Sequence, residues 1–279
     1  SLSLTSASAA INPGSPCKKL AQEKVSSGAK LTCVKSGGKL TWSASAASYE
    51  LTKLKAYNEI RSRADSGNLD NVSLVYHASD SFPKDLKKLY TSQVEYASKL
   101  LGPFFSKKEV MNIYMYTEKD EKLLRSNNIL NRFLDEHTPW FEDWRQGRYR
   151  EHNLGLAAWY METTPGVYEG HAGVLVSSEA SAKSLRKYAI QVMPHEYWHV
   201  AQDYFFRAKF EDLYQKRSDK KMDGQDFYSM HFPTTFREGS ANTISFALAS
   251  NTKKEYLDLY ADFIREKKQQ TEVKLFATL

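Results

Sequence analysis

At 279 residues, with 41% hydrophobic and 26% charged side chains, the chain can bury a sizeable core and has the balance of an ordinary globular protein. Its net charge of +6 favours anionic surroundings, such as an envelope surface or an acidic substrate. No Lys/Arg block is interleaved with aromatics, which argues against a nucleic-acid partner, and no apolar run reaches membrane-spanning length.

Residues 1–12 read as the remnant of a secretory signal: Ser1 to Ala10 is rich in small residues suited to a cut near Ala7–Ala10, and no Met opens the chain. A flexible Ser/Ala-rich terminus is the alternative. Lys274 to Leu279 carries no helix stop signal, so the chain is expected to be a fragment of a longer one. Residues 13–44 form a small β module around the only two cysteines, Cys17 and Cys33. Leu31–Val34 and Lys39–Trp42 are predicted strands joined at Gly37-Gly38. A unit this small cannot stabilise itself by burial, so a Cys17–Cys33 disulfide is the expected staple, and it points to export. A two-Cys zinc knuckle would need a Cys-x-x-Cys pairing that the sequence lacks. With its Gly-Gly-Lys-Leu and following Trp, the module is similar to short segments of secreted actinobacterial proteins.

Residues 45–279 are expected to form one domain. After a Ser/Ala linker, Leu51, Leu54, Tyr57 and Ile60 mark a helix from Tyr49 to about Ala64, and Val72–Tyr76 reads as a strand. Pro83 opens a second helix with an apolar stripe from Leu86 to Leu101, stopped by Gly102-Pro103. Val110–Tyr116 is a second strand, and Thr117–Asp120 reads as a capping box starting a helix to about Phe133. His137–Asn153 is predicted as a long polar, aromatic loop. Leu156–Met161 and Val167–Ser177 form a hairpin across Thr163–Gly166. A helix is predicted from about Ser178 toward Arg207, kinked at Pro194 or divided there into two. Glu211–Ser229 is charged and irregular, a further helix starts at Glu238, and Tyr256, Leu257, Tyr260 and Phe263 mark a final amphipathic helix.

The chemistry lies in His195-Glu196-Tyr197-Trp198-His199. Residues four apart share a helix face, so both imidazoles can aim at one metal ion. Glu196 projects to the side, where it can take a proton from water polarised by that ion. Two histidines at this spacing also occur by coincidence as ordinary half-buried residues. A catalytic zinc needs a third protein ligand, and Glu238-Gly239-Ser240-Ala241 offers one on a later helix. The two stretches together resemble the gluzincin metallopeptidases, the thermolysin-like class, and the Glu-Gly-x-Ala form looks like its peptidase-MA-like members.

That resemblance implies an α+β, zincin-like fold, with a mixed sheet packed on the motif helix, a helical C-terminal part and Zn²⁺ held by His195, His199 and Glu238. It also implies an acidic residue four after the Glu ligand, holding a ligand histidine by its outer nitrogen. Asn242 stands there, able to accept the same bond without adding charge, or else a surface amide. Asp203, four after His199, either orients a ligand or makes a salt bridge. Gluzincins pair extended substrate with a free strand edge beside the zinc helix. Gly170, His171, Ala172 and Gly173 are the expected edge here, with His171 otherwise a surface histidine. A second donor should hold the oxyanion; the candidates are His231, Tyr228 and Tyr260, with His231 first because it lies between the two ligand-bearing stretches. The expected function is a secreted or envelope-associated bacterial zinc peptidase with Glu196 as general base and a peptide or protein as substrate. The alternative is a catalytically silent zinc-binding or envelope interaction module on the same fold.

Overall fold

A computed structural model describes residues 11–26, 29–43, 46–136, 138–146, 153–185, 187, 189–206 and 234–276. The chain divides into two compact units, residues 1–58 and 59–279.

The first unit holds a three-stranded antiparallel sheet, β1 (Glu23–Ser26), β2 (Ala29–Ser36) and β3 (Lys39–Ser43). Gly37 and Gly38 make the β2–β3 turn with φ of 57° and 83°, the left-handed pair that a two-residue hairpin requires. Its core is small: Leu31, Cys33 and Trp42 are buried, with Ile11, Cys17 and Leu40 packed against them. The outer side of β3 is covered by the preceding chain, where Ser15 O accepts from Trp42 N (2.7 Å) and Cys17 N donates to Leu40 O (3.1 Å). Cys17 and Cys33 are disulfide-bonded, with a Cα–Cα distance of 5.7 Å. With so little apolar surface buried, the unit's stability should depend on the cross-link. Cys17→Ser should therefore cost this unit about 3 kcal/mol in the chain-entropy picture. Limited proteolysis should then cut within residues 11–43 while sparing 59–279.

The division at residue 58 falls inside α1 (Ala46–Ser66). The second unit continues with β4 (Val72–Ala78), α2 (Lys84–Leu101), β5 (Glu109–Thr117), α3 (Glu121–Ser126), α4 (Asn128–Glu136), α5 (Thr138–Arg145), β6 (Leu154–Thr164), β7 (Val167–Val176), α6 (Val192–Phe206), α7 (Thr234–Ala249) and α8 (Lys253–Phe276). It is a mixed α/β architecture. The sheet order is β4-β5-β7-β6, parallel across β4–β5–β7 and antiparallel at β6. One face of the sheet meets α6: Gly170 on β7 approaches Met111 on β5 and Val200 on α6 so closely that any side chain there would collide. The other face carries Tyr114, Tyr116, Leu156 and Leu175 under Leu124, Leu130, Leu134 and Phe141 of α3 to α5. Among the described residues, no helix is long and apolar enough to cross a membrane.

Several boundaries differ from the sequence reading. The helix predicted to start at the Thr117–Asp120 capping box and run to about Phe133 breaks at Asn127, whose side chain accepts from the N–H groups of Ile129 and Leu130 and so starts α4 afresh. The predicted loop 137–153 contains α5, in which Phe141 is buried. Among the described residues after Ser178 the chain makes turns and then a short 3-10 helix (Ala189–Gln191), and the motif helix starts only at Val192, placing Pro194 in its first turn, where a missing N–H costs little. Glu238 lies in the second turn of α7 rather than at its start.

The capping box at Thr117 forms and extends into a network at the ends of β4 and β5. Asp120 Oδ2 accepts from Ser79 Oγ (2.7 Å), Ser81 Oγ (2.7 Å), Thr117 N (2.7 Å) and Thr117 Oγ1 (2.9 Å). Burial alone would raise the Asp120 pKa, but these donors outweigh it and hold the carboxyl below its usual range. A depressed folded pKa contributes stability above the unfolded value, about 3.9, which is lost as pH falls through the folded one. Asp120→Ala should cost about 2 kcal/mol at neutral pH. Urea titrations should show the gap between mutant and wild type closing below about pH 4.

Candidate metal centre

The packing of α6 decides what its residues face. Tyr197 and Val200 point into the core, and Tyr197 Oη accepts from Ser98 Oγ of α2 (2.8 Å). That orientation turns His195 and His199 toward α7, which packs beside α6. There the two Nε2 atoms lie 3.0 Å apart, with Glu238 Oε2 3.3 Å from His195 Nε2 and Glu238 Oε1 3.5 Å from His199 Nε2. Among the described residues, these three form the one group of donors able to hold a metal ion. Zinc–donor bonds of about 2.0–2.1 Å at tetrahedral angles put neighbouring ligand atoms about 3.3 Å apart. The Nε2–Nε2 separation of 3.0 Å is close to that, and Glu238 sets one oxygen 3.3 Å from His195 and its other oxygen 3.5 Å from His199, so the three residues could hold a metal ion. The His199 side chain is 10% exposed and that of Glu238 46%, so the centre is walled on the histidine side and open beside the carboxylate.

The electrostatics agree with a cation site. Glu238 is held well below the usual carboxylate range, by the hydrogen bond from His195 first and that from His199 second, against a smaller opposing effect of burial. Burial opposes charge on His199, but Glu238, then Glu196, then Gln202 favour it, and its pKa is raised. Glu238 and Glu196 therefore both favour positive charge at His199.

Glu196 sits one residue along α6 from His195 and faces β6. A methyl placed on Gly155 would collide with its carboxylate, so glycine is what lets the edge strand lie against it. The β6–β7 register shifts between Gly155 and Ala157, leaving Leu156 as an extra residue next to Gly155 in the strand. Further along, Asp203 Oδ2 accepts from Tyr160 N of β6 (3.4 Å), so Asp203 helps tie the strand to the helix.

The expected substrate edge is corrected. Gly170, His171, Ala172 and Gly173 pair with Met111 to Tyr114 on one side and with Ala157 to Tyr160 on the other, so β7 is an interior strand with no edge to offer. The outer strand is β6; among the described strands it pairs with β7 alone. His171 is not a surface residue either: it is 1% exposed, its Nδ1 bonded to Tyr114 Oη (3.0 Å) on the sheet face away from α6. Burial, then the neighbouring His77, pushes its pKa down to about 4.

The outer nitrogen of His199 is bonded to Gln202 Oε1 (2.7 Å), a residue of its own helix, and among the described residues no hydrogen bond joins the Asn242 amide to either histidine. Trp198 Nε1 and Gln202 Nε2 both donate to Ser240 Oγ (3.2 and 2.7 Å), fastening α6 to α7. Tyr260 packs edge-on against Phe246 and its hydroxyl bonds Thr243 Oγ1 (2.5 Å), which places it between α7 and α8. His231 and Tyr228 lie outside the described residues.

Gly155, Gln202 and Ser240 were not among the residues the sequence singled out as functional. Gln202 carried the one available signal, a long amide three residues after a candidate ligand. Comparison with protein-family models, with curated protein sequences and with solved structures gives no match.

Proposed function

We propose that the chain is a gluzincin-like zinc peptidase of zincin-like fold, exported from the cell. The observation that carries this reading is the cluster of His195, His199 and Glu238, whose ligand atoms lie within 4.8 Å of one another, with a second carboxylate, Glu196, one residue along from His195. Two imidazoles and one carboxylate are the donor set of thermolysin-type catalytic zinc, and three protein ligands leave a position open. A bound zinc would supply Lewis-acid polarisation of water and of the scissile carbonyl.

The protein's own groups divide the remaining work. Glu196 is confined between α6 and Gly155, oriented as a base that takes a proton from the attacking water and returns it to the departing amine. The outer edge of β6 is the corrected place for strand addition: an extended peptide paired there would run past Glu196. The Cys17–Cys33 disulfide supports an oxidising, extracytoplasmic destination.

The test joins metal analysis to cleavage. Purified protein should carry about one zinc per chain. It should cleave a fluorogenic peptide library, lose that activity to a chelator and regain it with Zn²⁺. Zinc at that stoichiometry with no cleavage of any peptide would favour the catalytically silent metal-binding module; absence of metal affinity would reject the centre altogether.

A further inference from the structure

Gln202 is 3% exposed, and every polar atom of its side chain is engaged. Oε1 meets His199 Nδ1 at 2.7 Å, while Nε2 meets Arg237 O at 3.0 Å and Ser240 Oγ at 2.7 Å. A backbone carbonyl can only accept, so the partner facing Arg237 must be the amide nitrogen. The amide oxygen is then the atom facing the imidazole, and His199 Nδ1 must carry the proton. Ser240 completes the set, donating to Arg237 O (3.2 Å) while accepting from Gln202 and from Trp198. Thus one carbonyl on α7 dictates the tautomer of a histidine on α6. The lone pair of a neutral His199 is left on Nε2, the atom that faces His195 and Glu238.

Arg237 directly precedes Glu238, so the same amide also fixes the turn that carries the third donor. We propose that Gln202 is the positioning residue of the metal centre, presetting His199 as the Nδ1–H tautomer and locking the Glu238 turn to the histidine helix. The affinity part of this proposal rests on reading the triad as a metal site, whereas the tautomer part does not. In the metal-free state a preset tautomer spares the ion a proton rearrangement, and a docked turn spares it the ordering of a separate helix.

Two readouts test it. Long-range ¹H–¹⁵N correlation on metal-free wild type at about pH 9.5, well above the ordinary imidazole range, should show His199 protonated at Nδ1. Protonation at Nε2 instead would overturn the proposal without any variant. In Gln202→Leu the Nδ1–H preference should be lost, and Zn²⁺ affinity in a chelator-competition titration should fall by about ten- to a hundredfold. Gln202→Glu keeps an acceptor for His199 but sets an oxygen against Arg237 O. It should retain the tautomer yet still lose Zn²⁺ affinity, and it serves if the leucine variant does not fold. A folded Gln202→Leu or Gln202→Glu protein that binds Zn²⁺ within about twofold of wild type would overturn the role in positioning. Wild type that binds no Zn²⁺ rejects the metal reading and with it the affinity claim, while the tautomer shift between wild type and Gln202→Leu still decides the remainder.

Discussion

Glu196→Gln should abolish most peptide hydrolysis and leave the metal in place. The substitution keeps the size and polarity of the side chain that fits against Gly155, and removes only the basic oxygen. Glu196 is beside the donor triangle rather than one of its corners, so zinc stoichiometry and melting temperature should match wild type. The rate should fall by about 10²- to 10⁴-fold, the usual contribution of a positioned general base. Gly155→Val offers a control from the opposite wall. It leaves the carboxylate chemically intact but displaces it, so activity should drop while zinc remains bound. If Glu196→Gln releases the zinc, Glu196 is a ligand and its assignment as a base is wrong.

Glu238→Ala should do the reverse, removing the metal and with it the stability the metal adds. A ligand that binds only the folded state stabilises it by about 2.7 kcal/mol when present at a hundred times its dissociation constant. For a unit of this size that corresponds to a shift of roughly 5–10 °C in melting temperature. The wild type should show this shift on adding Zn²⁺, and Glu238→Ala should not. With chelator present the two proteins should melt close together. The Glu238 side chain is 46% exposed, and its ion pairs to the histidines are screened to about 0–1 kcal/mol. A mutant that melts far below wild type even in chelator would mean that Glu238 acts chiefly in holding the fold. An undiminished Zn²⁺-dependent shift in the mutant would remove Glu238 from the ligand set.

Much of this molecule was legible before any tertiary contact was known, and what was legible is local. Spacing by four on a helix determined that His195 and His199 share a face, and chemistry alone separated Glu196 from them. Strand β5 was readable from its β-branched and aromatic run, the β6–β7 hairpin from its Pro-Gly turn, and the start of α2 from Pro83, because each depends on neighbours a few residues apart. The pairing of β7 with β5 joins residues nearly sixty apart in sequence, and this long-range choice alone made β7 interior and β6 the edge. The hairpin pattern is the same in either arrangement, so Gly170 to Gly173 read as well for an edge as Gly155 does. The start of the motif helix at Val192, rather than near Ser178, is likewise not recorded in any periodicity.

By itself, then, the sequence determined the candidate donors, two imidazoles and a later carboxylate, with a second carboxylate beside the first histidine, because bonding chemistry and helical spacing are properties of residue types and short intervals. Only the tertiary structure decided their surroundings. It set the buried face of α6, put Gly155 rather than Gly170 against Glu196, and gave the outer nitrogen of His199 to Gln202 instead of Asn242. Which of several equally suitable partners a side chain meets depends on how α6 and α7 rotate against each other. That rotation is a sum over contacts such as Tyr197–Ser98 and Gln202–Ser240, whose partners lie 99 and 38 residues apart.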